Sequence, residues 1–216
     1  MMIRVFSTWK LCALWCEMNR THVKRRQHKR GKPEADLALY LSAAEVWRAI
    51  AACPSDSQSS LFLRALWTTG ARVSEVLEVR AEDVRFDERT MRITTLKQRK
   101  RAARLVPLPA EFLGELARYI ASNGLKSTDR IWPRSRGWAW LVVRRACLAA
   151  HVDPRLAHPH SFRHAHVVHA LRSSVPLTAI QETVGHASIT TTAAYGRLSL
   201  VDRRKVYEGA GFGVKP

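Results

Sequence analysis

Between residues 42 and 80, apolar side chains recur three and four positions apart, the spacing that gives a helix one buried stripe. In LSAAEVWRAI, Val46, Ala49 and Ile50 share such a face. Ser42 and Glu45, three residues apart, form a capping box that starts this helix. SSLFLRALWTT predicts a second helix, ended by Gly70. VSEVLEVR predicts a third, with Val73, Val76, Leu77 and Arg80 on related faces.

The period then changes to two. DVRFDERTMRITTLKQRKRAARLVPLP predicts strands at 84–86, 91–96 and 104–106, with a turn at 87–89 and a basic turn before the third strand. Pro109 suits the first turn of a helix running to residue 120, because its missing N–H is not needed there. Further helices are expected near 138–150, 160–172, 177–184, 188–195 and 200–209, with no internal repeat. The fold class is therefore α+β, mostly helical, with one small antiparallel three-stranded sheet.

A chain of 216 residues suits one domain of ordinary size. Such a domain buries about 70% of its unfolded surface and needs no metal or disulfide staple. Residues 1–35 read differently: within NRTHVKRRQHKRGKPE, Arg20, Lys24, Arg25, Arg26, Lys29, Arg30 and Lys32 meet one acid, Glu34. Like charges this dense repel, so the segment is expected to be a flexible arm that orders on a phosphate backbone, or else a solvated tail. The expected layout is an arm at 1–35, a domain at 36–209 and a tail at 210–216. Met18 is an alternative translation start.

Charge narrows the function classes. Thirty-six Lys and Arg against 18 Asp and Glu leave +18, which attracts polyanions by counterion release. DNA or RNA leads; no long apolar run or basic amphipathic helix supports a membrane. Cys12, Cys16, Cys53 and Cys147 are too scattered for a disulfide scaffold, which points to a reducing cytosol. The N-terminus fails as a secretory signal because Lys10 interrupts a short apolar core. A cytoplasmic, nucleoid-associated protein is expected.

Six histidines fall in HVDPRLAHPHSFRHAHVVHALRSS, at His151, His158, His160, His164, His166 and His169. A metallohydrolase would want such a cluster, but no HExxH appears, and 154–181 contain no Asp or Glu. Arg155, His158, His160, Arg163, His164, Arg172, His186 and Arg197 with almost no carboxylate make an anion site instead. Arginine forks bind two phosphate oxygens at once, and fixed cationic donors can meet the charge that develops in phosphodiester cleavage.

TTGARVSEVLEV (68–79), HPHSFRH (158–164) and VGHASITTTAAY (184–195) resemble the three signature segments of the tyrosine recombinases, the phage-integrase family. They occur in the same order, with a basic strand-turn-strand between the first two, over about residues 38–207. The resemblance implies an integrase-like DNA breaking-rejoining catalytic domain, in a short form lacking the N-terminal core-binding domain. It implies Tyr195 as the nucleophile that forms a 3′-phosphotyrosyl link. Arg72 and Arg163 match the two arginines on the non-bridging oxygens. His160 matches the general base, and His186 the second histidine, a phosphate hydrogen-bond donor. Glu75 matches the acid that supports the pocket. The lysine that protonates the leaving 5′-oxygen is Lys97 or Lys100, with Lys97, just after the strand, preferred. Arg99, Lys100 and Arg101 of the basic turn, with the arm's Lys24, Arg25, Arg26, Lys29 and Arg30, are expected on DNA.

Plainer roles compete. Arg72 could only pair with Glu75, His186 could only cap a helix, and Tyr195 could be a core aromatic. His164, His166 and His169 are read as packing or solvent residues, and Trp47, Trp67, Trp132, Trp138 and Trp140 as core or interface. The function implied is site-specific DNA recombination without metal, ATP or other cofactor. The implied partners are double-stranded DNA bearing specific sites, three further copies of the chain forming a tetramer on that DNA, and accessory DNA-bending proteins. Alternatives are topoisomerase-like DNA relaxation and a DNA-binding remnant or regulator without recombination.

Overall fold

The computed structural model describes residues 40–54, 57–95 and 102–185. The arm, the expected helices at 188–195 and 200–209 and the tail lie outside the described residues.

Helix α1, Ala43–Ala51, starts where the capping box was expected. Ser42 Oγ accepts from the Glu45 amide, and Glu45 Oε2 accepts from the Ser42 amide at 2.8 Å. Its stripe of Val46, Ala49 and Ile50 is buried. Helix α2, Gln58–Thr69, is capped by Ser57 and stops at Gly70. Gly70 adopts a left-handed φ of 57°, and its N–H reaches back to the Leu66 carbonyl. Leu61, Phe62, Leu63, Ala65 and Leu66 are all buried, so α2 is a central helix rather than an amphipathic surface one.

Helix α3, Val73–Leu77, is shorter than the run expected from VSEVLEVR. Val79 is buried, and Arg80 leaves the helix to form an antiparallel bridge with Arg130. The helical spacing was real up to Leu77; a long-range backbone pairing took the rest.

After a 3₁₀ turn at Ala81–Asp83 come β1 (Val84–Arg85), β2 (Thr90–Thr94) and β3 (Ala103–Pro107), antiparallel in the order β1-β2-β3. Met91 opposes Val106, and Ile93 opposes Arg104. Met91, Ile93 and Val106 face the core, while Arg92 and Leu105 face outward. Arg104 therefore sits on the inner face of the sheet. Phe86 falls outside β1 and is exposed.

Helix α4, Ala110–Ser122, takes Pro109 as its N-cap, one position earlier than expected. Helix α5, Arg136–Ala149, is capped by Ser135, whose hydroxyl accepts from the Trp138 amide. Helix α6, Pro159–Arg172, begins with proline at its first position. Helix α7, Leu177–Val184, ends at Gly185, left-handed with φ 67°. One core runs from α1 to α6 and the sheet, with Trp132, Phe62, Phe112 and Phe162 fully buried. Val167, Ile180 and Val184 seal α7 onto α6.

Of the tryptophans read as core or interface, Trp67 and Trp132 are buried and Trp138 is half-buried against Phe62. Trp47 and Trp140 are exposed, at 46% and 44%. Each lies under a guanidinium instead: Arg64 over Trp47 and Arg144 over Trp140, both 5.2 Å from the ring centroid. Among the described residues, no helix is long and apolar enough to cross a membrane.

Candidate active site

The turn after α2 is built by TTGAR. Thr69 is fully buried; its hydroxyl donates to the Ala65 carbonyl at 2.6 Å and accepts from the Ala71 amide at 3.2 Å. Gly70 supplies the left-handed residue. It also lets the backbone pass close to α6 and α7. A Cβ there would lie 2.6 Å from His166 Cδ2 and 2.9 Å from Val184 Cγ1. Arg72 emerges from this turn as the residue before α3.

Glu75 holds Arg72. Its carboxylate accepts from Arg72 Nη1 at 2.9 Å and from the Arg72 amide at 3.1 Å. Glu75 is only 1% exposed. Burial pushes its carboxyl pKa up, but the Arg104 guanidinium and the two Arg72 donors outweigh this and leave it below the usual value. A buried anion between two guanidiniums makes the Arg72–Glu75 pair a support for the site rather than a surface ornament.

Helix α6 contributes the facing wall. Arg163, 4% exposed, donates from Nη1 to the Gly70 carbonyl at 2.7 Å, tying α6 to the turn that carries Arg72. His160 lies one turn earlier on α6 and opens to solvent. Its pKa is lowered, by partial burial first and then by the positive fields of Arg163, His158 and Arg72. Near neutrality the imidazole is therefore the uncharged form that can take a proton.

These walls enclose a cleft of about 670 Å³, lined by Ala71 to Ser74, by Arg136, Gly137 and Trp140 of α5, and by His158, Pro159, His160 and Arg163. Among the described residues, three arginines and two histidines line it, and no carboxylate does. The N-terminal turns of α5 and α6 contribute to the same cleft, and helix N-termini favour anions. Chemically, this is a place to hold a phosphate. A groove of about 690 Å³ elsewhere, between Gln58, Tyr119 and Arg134, contains none of the candidate residues.

The remaining histidines of the cluster have other work. His166 Nδ1 lies 2.8 Å from the Trp67 carbonyl, so the ring donates there, and burial lowers its pKa. His164 stacks on Tyr40 at 6.3 Å, His169 packs beside Trp67, and His158 contacts the Ser161 hydroxyl. His164, His166 and His169 are thus packing residues. Among the described residues, no group of three or more His, Cys, Asp and Glu side chains is arranged to hold a metal.

The model of the phage integrase family matches residues 40–200. The chain belongs to the phage integrase family.

Within that family, a tyrosine recombinase of Pseudothermotoga lettingae is 30% identical over 173 residues, covering 77% of this chain and 58% of the relative. The chain thus spans little more than half of that relative's length. A crystal structure of XerA recombinase shares the fold with a TM-score of 0.68 at 24% identity, over 82% of this chain and 66% of the other. A structure of XerH site-specific recombinase bound to palindromic difH substrate does so with a TM-score of 0.66 at 19% identity, over 81% and 53%.

Of the integrase-type residues expected from sequence, Arg72, Glu75, His160 and Arg163 are described, and Arg72, His160 and Arg163 line one cleft. His186, Tyr195, Lys97, Arg99, Lys100 and Arg101 lie outside the described residues, as do Lys24, Arg25, Arg26, Lys29 and Arg30. The sequence reading missed Arg104, the second cation on Glu75 (Nη2–Oε2 2.8 Å). A signal existed: in RAARLVPLP, Arg104 has the parity of Val106, so alternation places a charge on the buried face of the strand. Arg136 and Trp140 were likewise not assigned to the cleft.

Proposed function

We propose that this protein is a tyrosine-type site-specific recombinase, cutting and rejoining DNA through a 3′-phosphotyrosyl intermediate. The observation that carries the reading is the cleft in which Arg72 and Arg163 accompany neutral His160, with no carboxylate among its described lining residues. Tyr195 Oη attacks the scissile phosphorus and passes its proton to His160. The P–O5′ bond breaks, and the leaving 5′-oxygen takes a proton from Lys97, with Lys100 as the rival donor. Arg72 and Arg163 bind the two non-bridging oxygens, and His186 donates a further hydrogen bond. The bond energy is kept in the phosphotyrosyl ester, so rejoining by another 5′-hydroxyl needs neither ATP nor metal.

The partners follow from the same reading: duplex DNA with paired recognition sites, a homotetramer assembled on it, and accessory DNA-bending proteins. The DNA-bound XerH structure of the same fold supports the first. The basic arm and the 99–101 turn supply further phosphate contacts.

The test is covalent capture. The full chain is incubated with a pool of nicked duplexes carrying random flanking sequence, and DNA linked to protein after denaturation is recovered. Wild type is expected to capture a defined sequence, and Tyr195→Phe none. Arg72→Ala and Arg163→Ala are expected to slow capture by 10²–10³-fold or more, about 3–4 kcal/mol of lost charge stabilisation each. A wild type that behaves like Tyr195→Phe would leave a DNA-binding regulator. Relaxation of supercoiled plasmid independent of sequence would mean topoisomerase-like activity.

A further inference from the structure

One guanidinium in the sheet bonds to Glu75, Thr95 and Thr183, three residues from separate elements. Arg104 extends from β3 toward the core, and its side chain is only 11% exposed. Nη2 donates to Glu75 Oε2 at 2.8 Å, and Glu75 holds Arg72. Nη1 donates to Thr95 Oγ1 at 3.1 Å. The Thr95 amide donates to the Ala102 carbonyl at 2.8 Å, pairing the two described residues on either side of 96–101, the stretch of sequence that includes Lys97 and Lys100. Nε donates to the Thr183 carbonyl at 2.7 Å, in the last turn of α7. Gly185 ends that helix immediately before His186, and it lies so close that a Cβ there would fall 2.9 Å from Arg104 Nη1.

We propose that Arg104 is a positioning residue that sets Arg72, Thr95 beside the stretch carrying Lys97 and Lys100, and Gly185 beside His186 relative to one another. The inference rests on the recombinase reading above. The physical reason for arginine is its shape: a rigid planar fork donates in three directions at fixed angles, whereas a lysine ammonium donates from one point on a flexible stem. Lysine can keep the charge beside Glu75 but cannot also hold the Thr95 hydroxyl and the Thr183 carbonyl in place. Gly185 belongs to the same device, since any side chain there would push the fork off its partners. Phosphoryl transfer tolerates little misplacement, so loosening the links among three groups slows chemistry without removing a group that touches DNA.

The experiment uses the full chain and the nicked duplex captured by wild type from the random pool. Single-turnover adduct formation at saturating DNA is followed for wild type, Arg104→Lys, Arg104→Ala and the exposed control Arg85→Ala. Loss of folded protein lowers the amplitude of the adduct but leaves its rate constant unchanged; misplaced groups lower the rate constant. Arg104→Lys is expected to bind the duplex within about twofold of wild type, reach near full amplitude and react at least tenfold more slowly. Arg104→Ala is expected to react more slowly still, and Arg85→Ala like wild type. Either Arg104 variant reacting within threefold of the wild-type rate constant, with or without loss of amplitude, overturns the proposal. If Arg104→Ala does not fold, Arg104→Lys decides. Absence of any wild-type adduct would instead overturn the recombinase reading, so the two failures are distinct.

Discussion

Gly70→Ala puts the packing of the Arg72 turn to a quantitative test. Two costs add there. A residue with a Cβ must hold a left-handed φ of 57°, which costs about 1–2 kcal/mol. The new methyl must also find room 2.6 and 2.9 Å from two carbons of the His166 ring and 2.9 Å from Val184 Cγ1. The ring is held by its 2.8 Å bond to the Trp67 carbonyl and Val184 is fully buried, so neither yields cheaply. Overpacking of this kind costs about 1–3 kcal/mol more. Together, about 2–5 kcal/mol should lower the thermal midpoint by roughly 5–15 °C for a domain of this size. Gly124→Ala separates the two costs, because Gly124 shares the left-handed φ, at 59°, but has nothing within 4 Å of its Cβ position. It should lose only the backbone part. Thermal unfolding of the three proteins by circular dichroism at one pH reads both. Equal losses for the two variants would refute the packing argument, and a Gly70→Ala midpoint within 2 °C of wild type would refute the whole account.

Acid should destabilise the fold early. The His160, His164 and His166 pKa values all lie below the ordinary 6.5, with burial the largest cause in each. The unfolded chain therefore binds more protons, so their contribution is fully present above pH 6.5 and is lost as the pH falls through the lowered values. Melting temperatures measured from pH 8 to 5 should fall with pH, and a flat profile down to pH 5.5 would contradict this. Below the histidine range, Glu75, whose pKa is also lowered, loses its contribution as the pH falls through its folded value. Ser42→Ala removes the hydroxyl that accepts from the Glu45 amide and should cost about 1 kcal/mol in denaturant unfolding, with the slope unchanged. Deleting residues 1–35 should weaken DNA binding and flatten its log–log salt dependence by about 0.9 for each phosphate that the arm neutralises; an unchanged slope would mean that the arm is not on DNA.

Local chemistry explains how much of the site could be read in advance. Ser42 and Glu45 cap α1 through neighbouring atoms, and Gly70 ends α2 because of its own φ, so spacing alone revealed both. Arg72, Glu75, His160 and Arg163 were read from the resemblance of their two short segments to the tyrosine recombinases, a likeness that shows because each segment is contiguous in sequence. Arg80 was misplaced, and Trp140 was not assigned to the cleft, for a different reason. The Arg80 backbone pairs with Arg130, and Trp140 lines the cleft with Arg72 and Arg163, so both placements are set by residues remote in sequence.

Composition, helix caps, strand alternation and the three arginine- and histidine-bearing segments were determined by the sequence itself, because each depends on interactions within a few residues. Only the tertiary structure decided that Arg163 would grip the Gly70 carbonyl, 93 positions away, and that Arg104 would join Glu75 to the end of α7. Such contacts arise when helices and sheet bury their apolar faces together and bring distant polar groups into a dry interior. There each donor must find an acceptor, and no local spacing records which one it finds.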